Sequence, residues 1–208
     1  MIDQNLITQT TEQMTASISN STQVNDQLYL LNNVFPEELL KKLRKTIEQT
    51  DDWAPLEHQE WLNRSVLHWV PDSAVEELHM ASDNLTDMVN NFFNINVEFQ
   101  CLQIWRDQHL YDLNTHQDNP VIDVALQVYL WDCPEGYGTT FYTDNKQNVV
   151  DIPFKHNTGY LLWKKSNEER IPHRTSQVFK GDSRYSLYLT WSRFGKQAPN
   201  PGNPAGYL

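Results

Sequence analysis

The sequence predicts a mainly β protein with flanking helices: a sandwich or barrel core with an N-terminal helical buttress. Three observations point there. From Asn96 onward apolar and polar residues alternate with a period of two, in short runs that suit half-buried strands. Turn signals such as "CPEGYG", "DNKQN" and "KGDS" separate these runs. Ahead of them, two segments repeat apolar residues at helical spacing instead. Helices followed by many evenly spaced strands pack most simply as a closed sheet structure, a jelly roll being the commonest solution.

The elements follow in order. Residues 1–27 are rich in Thr, Gln, Ser and Asn and contain no Lys or Arg up to Asp26, which predicts a flexible polar segment rather than a targeting peptide. Order is expected from Leu28, in "LYLLNNVF". In "PEELLKKLRKTIEQT", Leu39, Leu40, Leu43 and Ile47 share one helical face behind Pro36 and two acids. A second helix is predicted over Asp72 to Asn91, with Val75, Leu78, Leu85, Met88 and Val89 in register. Between the two, "DDWAPLEHQEWLNRSVLHWV" is aromatic and irregular. The strands then read as "VEFQCLQIW", "VIDVALQVYLW", "GTTFYTD", "NVVDIPF", "TGYLLW", "HRTSQVF" and "RYSLYLTW". Residues 28–194 form one predicted domain, and residues 195–208 a Pro- and Gly-rich tail. Trp69, Trp131, Trp163 and Trp191 fall in strands and are expected in the core.

Bulk charge narrows the function. The 208 residues carry 16 Lys and Arg against 27 Asp and Glu, a formal net charge of −11. That disfavours nucleic-acid binding, which draws on phosphate neutralisation. No stretch approaches a transmembrane helix, so no membrane partner is expected and the cytoplasm is the default location. Cys101 and Cys133 are expected to be reduced thiols.

The chemistry concentrates near "THQDNP". His116 and Asp118 lie two positions apart, which on an extended chain turns both side chains to one side. Alone, such a pair is more often a solvated turn than a metal site. Two histidines and one carboxylate, with the remaining positions open, form the facial triad of non-haem Fe(II) oxygenases. His156 and His173 could each complete it. His173 is chosen because the strand that follows places Arg184, Ser186, Tyr188 and Thr190 on one face and Tyr185, Leu187, Leu189 and Trp191 on the other. An Arg heading an inward polar face calls for an anion, and a dicarboxylate co-substrate supplies one. His156, like His58, His68, His79 and His109, has no such companion and reads as an ordinary surface or core histidine.

With those residues in view, the chain resembles the 2-oxoglutarate/Fe(II)-dependent dioxygenases. "HQDNP" followed by "VYLWD", "GTTFY", "NTGYLLW" and "RYSLYLTW" is most similar to their prolyl-hydroxylase branch, as is the opening "LNNVFPEELLKKLRKTI". The likeness spans roughly Tyr29 to Phe194. It implies a double-stranded β-helix, of cupin-like jelly-roll type, as a single dioxygenase domain. It implies that His116, Asp118 and His173 hold Fe(II), and that Arg184 pairs with the distal carboxylate of 2-oxoglutarate. Tyr129 is implied as a second contact to that carboxylate, and Ser186 completes an Arg-x-Ser pattern of other branches. Gln103 and Trp105 are expected to line the pocket where the branch often carries Tyr. Because Asp118 is present, hydroxylation with O2 is implied rather than halogenation.

The implied substrate is a peptidyl side chain, proline first, or a small molecule; a nucleobase comes third. Two rivals are a non-catalytic cupin-like binding module and a metalloenzyme of the same fold that uses no keto acid. Trp53 and Trp61 are minority candidates for a substrate lid, and "KKSNEER" for the rim of the entrance. Oligomeric state is left open.

Overall fold

The computed structural model describes residues 2–55, 63–67, 70–109, 111, 113–143, 148–164 and 170–193. Its first half runs α1 (Gln4–Ser19), β1 (Thr22–Gln23), β2 (Leu28–Asn32), α2 (Glu37–Gln49), β3 (Ala54–Pro55), β4 (Arg64–Leu67), α3 (Ala74–Asp83) and α4 (Thr86–Phe93). The second half is all strand: β5 (Val97–Asp107), β6 (Leu113–His116), β7 (Val124–Tyr129) and β8 (Thr139–Thr143), then β9 (Asn148–Ile152), β10 (Thr158–Trp163), β11 (His173–Thr175) and β12 (Arg184–Arg193).

The strands form two antiparallel sheets. The larger has the order β1-β2-β10-β7-β12-β5-β4-β3, and the smaller β6-β11-β8-β9. Alternation along each strand divides the interior into two cores on opposite sides of the larger sheet. On the outer side, Leu102, Ile104, Leu126, Val128, Leu161, Leu187, Leu189 and Trp191 meet the helices. On the inner side, Trp105, Tyr129, Tyr160 and Tyr188 meet Leu113, Phe141 and Ile152 of the smaller sheet. The predicted mainly β architecture with a helical buttress is therefore the one observed.

Helix α2 forms as its periodicity predicts, with Leu39, Leu40, Leu43 and Ile47 all buried. Full burial of such a side chain contributes about 1.5–3 kcal/mol, so this face holds the helix down. Gly159 on β10 is required by close approach: a Cβ there would lie 2.0 Å from the Gln127 carbonyl oxygen. That contact lets β10 press against β7, where Tyr160 and Gln127 are paired in register.

Four expectations need correction. The segment 1–27, read as flexible, holds α1, whose Leu6, Ile7, Met14 and Ile18 are buried. Its N-cap Asp3 accepts hydrogen bonds from the amides of Asn5 and Leu6. Ser17 and Gln13 donate to backbone carbonyls of Asn32, Asn33 and Phe35, so its polar side chains are used in docking. The second predicted helix is two, broken where Leu85, fully buried, ends one turn with its amide on the Ser82 carbonyl. The strand expected over "HRTSQVF" stops at Thr175. Beyond it the Ser176 carbonyl accepts from a side chain, Arg184 Nη1 (3.0 Å), and the Val178 amide donates to the Tyr111 carbonyl. Lastly, the irregular region before α3 contains β4, which extends the larger sheet alongside β5.

Trp191 is fully buried, while Trp131 and Trp163 are partly buried and pack against the outer core. Trp53 lies on that same outer side, 4.4 Å beneath the Arg106 guanidinium and edge-on to Tyr185, away from the inner core. His58, Trp61, His68, Trp69, most of "KKSNEER" and the C-terminal tail lie outside the described residues. Among the described residues, both cysteines are free thiols and no helix is long and apolar enough to cross a membrane.

Candidate metal centre and buried arginine pair

Strand pairing assembles the predicted triad. β11 lies between β6 and β8, with His173 opposite both His116 and Phe141. The β6–β11 register shifts between His173 and Thr175, a bulge of the kind that re-aims a neighbouring side chain. The two imidazoles come to 4.3 Å between ring centroids, and the His173 ring rests on Phe141 at 5.2 Å. Asp118, two residues past the strand end, turns Oδ1 to within 3.7 Å of His173 Nε2. One ligand atom from each of His116, Asp118 and His173 lies within 4.8 Å of the others.

The hydrogen bonds orient the donors. His116 Nδ1 sits 2.9 Å from the Asn114 carbonyl, and His173 Nδ1 3.3 Å from that of Ile171. A carbonyl accepts only, so Nδ1 of each ring donates to it and Nε2 is the nitrogen left to face a metal. Burial, reinforced by the neighbouring His173, lowers the His116 pKa to about 4. Its imidazole is therefore neutral and able to ligate at pH 7. The second Asp118 oxygen faces Arg170, whose Nη1 is 3.8 Å away.

Deeper along the inner face lie the residues assigned to the co-substrate. Arg184 is 1% exposed and its guanidinium is already much engaged. Nε donates to Asp107 Oδ2 (3.0 Å) and Nη1 to the carbonyls of Tyr137 (2.8 Å) and Ser176 (3.0 Å). Nη2 is buried without a partner among the described residues. Tyr129 donates its hydroxyl to Thr139 Oγ1 (2.7 Å) and stacks on Phe154, and burial raises its pKa. Ser186 accepts from Gln127 Nε2 (3.0 Å), and Gln127 Oε1 accepts from Tyr160. Trp105 lines the cavity beside the triad, stacked 4.2 Å from Tyr188. Gln103 acts one step back, accepting the Trp105 indole N–H (2.9 Å).

Sequence reasoning missed two residues here. Asp107, 1% exposed, ends β5 opposite Arg184 in the sheet, and on its other side Arg64 of β4, 5% exposed, grips it in a fork. Arg64 Nε is 2.6 Å from Oδ1 and Nη2 3.0 Å from Oδ2. Burial raises the Asp107 pKa, but the two guanidiniums outweigh it and hold the carboxyl below the usual range. The alternation in "RSVL" was the available signal for β4, lost within an aromatic and irregular stretch.

The cavity beside the triad has an open volume of about 20 Å³ and is lined in part by Arg64, Trp105, Tyr111, Gln127, Tyr160 and Tyr188. That is room for about one water. Larger hollows of about 320 and 500 Å³ lie on the helical side, lined partly by α2. Neither includes a residue of the triad, and converging donors rather than volume mark the chemical site. His156 borders the 320 Å³ hollow and pairs with Glu37 and the Leu130 carbonyl, away from the triad.

No family model matches the chain, and no curated protein does. Solved structures do match. A prolyl hydroxylase from Trichoplax adhaerens, in complex with a hypoxia inducible factor oxygen degradation domain peptide fragment, aligns at TM-score 0.64 and 16% identity, covering 88% of each chain. A Pseudomonas putida prolyl-4-hydroxylase aligns at TM-score 0.65 and 14% identity, over 89% of this chain and all of the other (100%). HygX from Streptomyces hygroscopicus, with nickel and 2-oxoglutarate bound, aligns at TM-score 0.62 and 13% identity, over 84% and 85%. The chain shares their fold over most of its length.

Proposed function

We propose that this chain is an Fe(II)- and 2-oxoglutarate-dependent dioxygenase that hydroxylates a C–H bond of a peptidyl or small-molecule substrate. One observation carries the reading: His116, Asp118 and His173 bring three ligand atoms within 4.8 Å of one another. Two neutral imidazoles and one carboxylate are the donor set of the facial triad and leave adjacent positions open. The similar structures include prolyl hydroxylases and a protein holding 2-oxoglutarate, which favours this chemistry over others on the same fold.

Each residue has a task in this reading. His116, Asp118 and His173 hold Fe(II), their Nδ1–carbonyl contacts fixing the two rings. Arg170 faces the Asp118 oxygen turned from His173, its Nη1 3.8 Å away, and holds that side of the carboxylate in place. Arg184 offers Nη2, a buried donor without a described partner, to the distal carboxylate of the keto acid. Tyr129 and Ser186 lie at its side, paired in register across β7 and β12. The aromatic walls exclude water and strengthen these electrostatic contacts. When bound, Fe(II) and 2-oxoglutarate supply the oxidising chemistry, consuming O2 and releasing succinate and CO2 as the substrate is hydroxylated.

The test is spectroscopic. Under anaerobic conditions, Fe(II) and 2-oxoglutarate together should produce a weak visible charge-transfer band that neither produces alone and that Asp118→Ala removes. Iron binding without that band would instead favour the keto-acid-free metalloenzyme. That alternative draws on one observation, that Asp107 already neutralises part of the charge around Arg184. Absence of iron binding would favour the non-catalytic module.

A further inference from the structure

Beside the metal ligands stands a guanidinium whose hydrogen bonds are not made within the fold. Arg170 lies just before His173, where the chain enters β11, and its side chain is 10% exposed. Nη1 is 3.8 Å from Asp118 Oδ2, so the charge is partly met there, although the distance is beyond hydrogen-bond reach. Nε and Nη2 are buried without a hydrogen-bond partner among the described residues. These two nitrogens form one edge of the planar group, the edge that presents parallel N–H bonds to a carboxylate. Arg64 uses the same edge on Asp107, at 2.6 and 3.0 Å. A buried donor left without an acceptor is costly, and such groups call for a functional reason.

The position of this edge is tied to the metal loop. Gln117, between His116 and Asp118, donates Nε2 to the Arg170 carbonyl (2.7 Å) and so fixes the Arg170 backbone relative to both ligands. Arg170 also lines a small recess with Asp118, Leu162, Lys164 and Ile171. Asp118 is the one residue that this recess shares with the cavity beside the triad. A group held there thus meets the metal centre from a different side than a keto acid lying along the inner face. Lys164, with Nζ 3.4 Å from the Pro120 carbonyl, adds a second positive charge at the rim. Coordination would draw the Asp118 charge to the metal and leave the Arg170 edge for another anion.

We infer, on the reading just given, that the substrate bears a carboxylate close to the carbon that is oxidised, and that Arg170 selects it through Nε and Nη2. A free acid and the C-terminus of a peptide present the same planar group to that edge.

The probes are free L-amino acids and tetrapeptides ending in the same residues, proline included, each as the carboxylate and as the amide. They are titrated calorimetrically into the anaerobic protein loaded with Fe(II) and 2-oxoglutarate. At least one probe should bind about ten- to a hundred-fold more tightly as the carboxylate, the scale of charge-assisted hydrogen bonds. A preference confined to the amino acids identifies a free acid, and one confined to the tetrapeptides a chain end; both support the inference. Arg170→Lys keeps a cation facing Asp118 but lacks the paired edge. It should remove most of the preference while iron and 2-oxoglutarate affinities stay near wild type. Should Arg170→Lys not fold, the same ratio is read in Arg170→Gln. The inference is overturned if no probe binds, if none is preferred as the carboxylate, or if the preference survives in the variant. It is overturned equally if the variant loses iron or 2-oxoglutarate as much as the acid, because Arg170 would then only support Asp118 or the co-substrate. A wild-type protein that binds iron but no 2-oxoglutarate overturns the functional reading itself, and this inference with it.

Discussion

The two faces of β12 make opposite use of the same strand. Leu187, Leu189 and Trp191 point outward into a continuous apolar core shared with the helices. Arg184, Ser186, Tyr188 and Thr190 point the other way into the space between the sheets, where they are equally buried. Burial therefore does not distinguish the faces. The outer face contributes stability through non-directional apolar contact, so its side chains need only fill volume. The inner face buries polar groups that need specific partners, Asp107 for Arg184 and Gln127 for Ser186, next to the Tyr188 ring stacked on Trp105. A buried Arg nitrogen without a described partner is costly to stability, and such costs concentrate at functional sites.

The comparison can be broken hardest at Asp107. Replacing it with Asn leaves Arg64 and Arg184 buried without their shared counter-charge, which should cost about 3–5 kcal/mol, read as a fall in the urea midpoint. An unchanged midpoint would mean that water reaches this compartment and screens the pair. Leu189→Ala should cost about 2–5 kcal/mol by leaving a cavity in the outer core, yet iron affinity of the folded variant should match wild type. If iron affinity fell as well, the two faces would be mechanically coupled rather than separable.

The smallest effect is acid sensitivity. His116 binds a proton near pH 4 in the folded protein but near its ordinary 6.5 when unfolded. Between those values the unfolded chain takes up more protons, so His116 stabilises the metal-free fold above about pH 6.5 and that contribution is lost as pH falls towards 4. The denaturation midpoint of metal-free protein should drop from pH 7 to pH 5, and drop less in His116→Gln. Equal slopes in the two would assign the acid sensitivity to other groups.

Much of this was legible locally. The α2 face of Leu39, Leu40, Leu43 and Ile47 repeats at helical spacing, and the two faces of β12 alternate, because secondary-structure period is imposed by near neighbours. His116 and Asp118 could be paired because both lie on one short extended stretch, and His173 could be joined to them through the Arg-headed strand that follows it. Helix α1 was hidden because only a few of its residues are apolar. Thr11, Ser17 and Gln13 look like linker residues until the carbonyls of Ala81 on α3, Asn32 and Phe35 are there to receive them.

The amino-acid sequence by itself therefore determined the strand and helix periods, the triad candidates and the placing of Arg184 on an inward face. Tertiary structure alone decided that Asp107 stands between two arginines. Arg64 is 43 residues from that carboxylate and Arg184 is 77, and they meet only because β4, β5 and β12 lie side by side in register. Such pairing depends on which strands become neighbours, a property of the closed sheet as a whole that no local spacing of residues encodes.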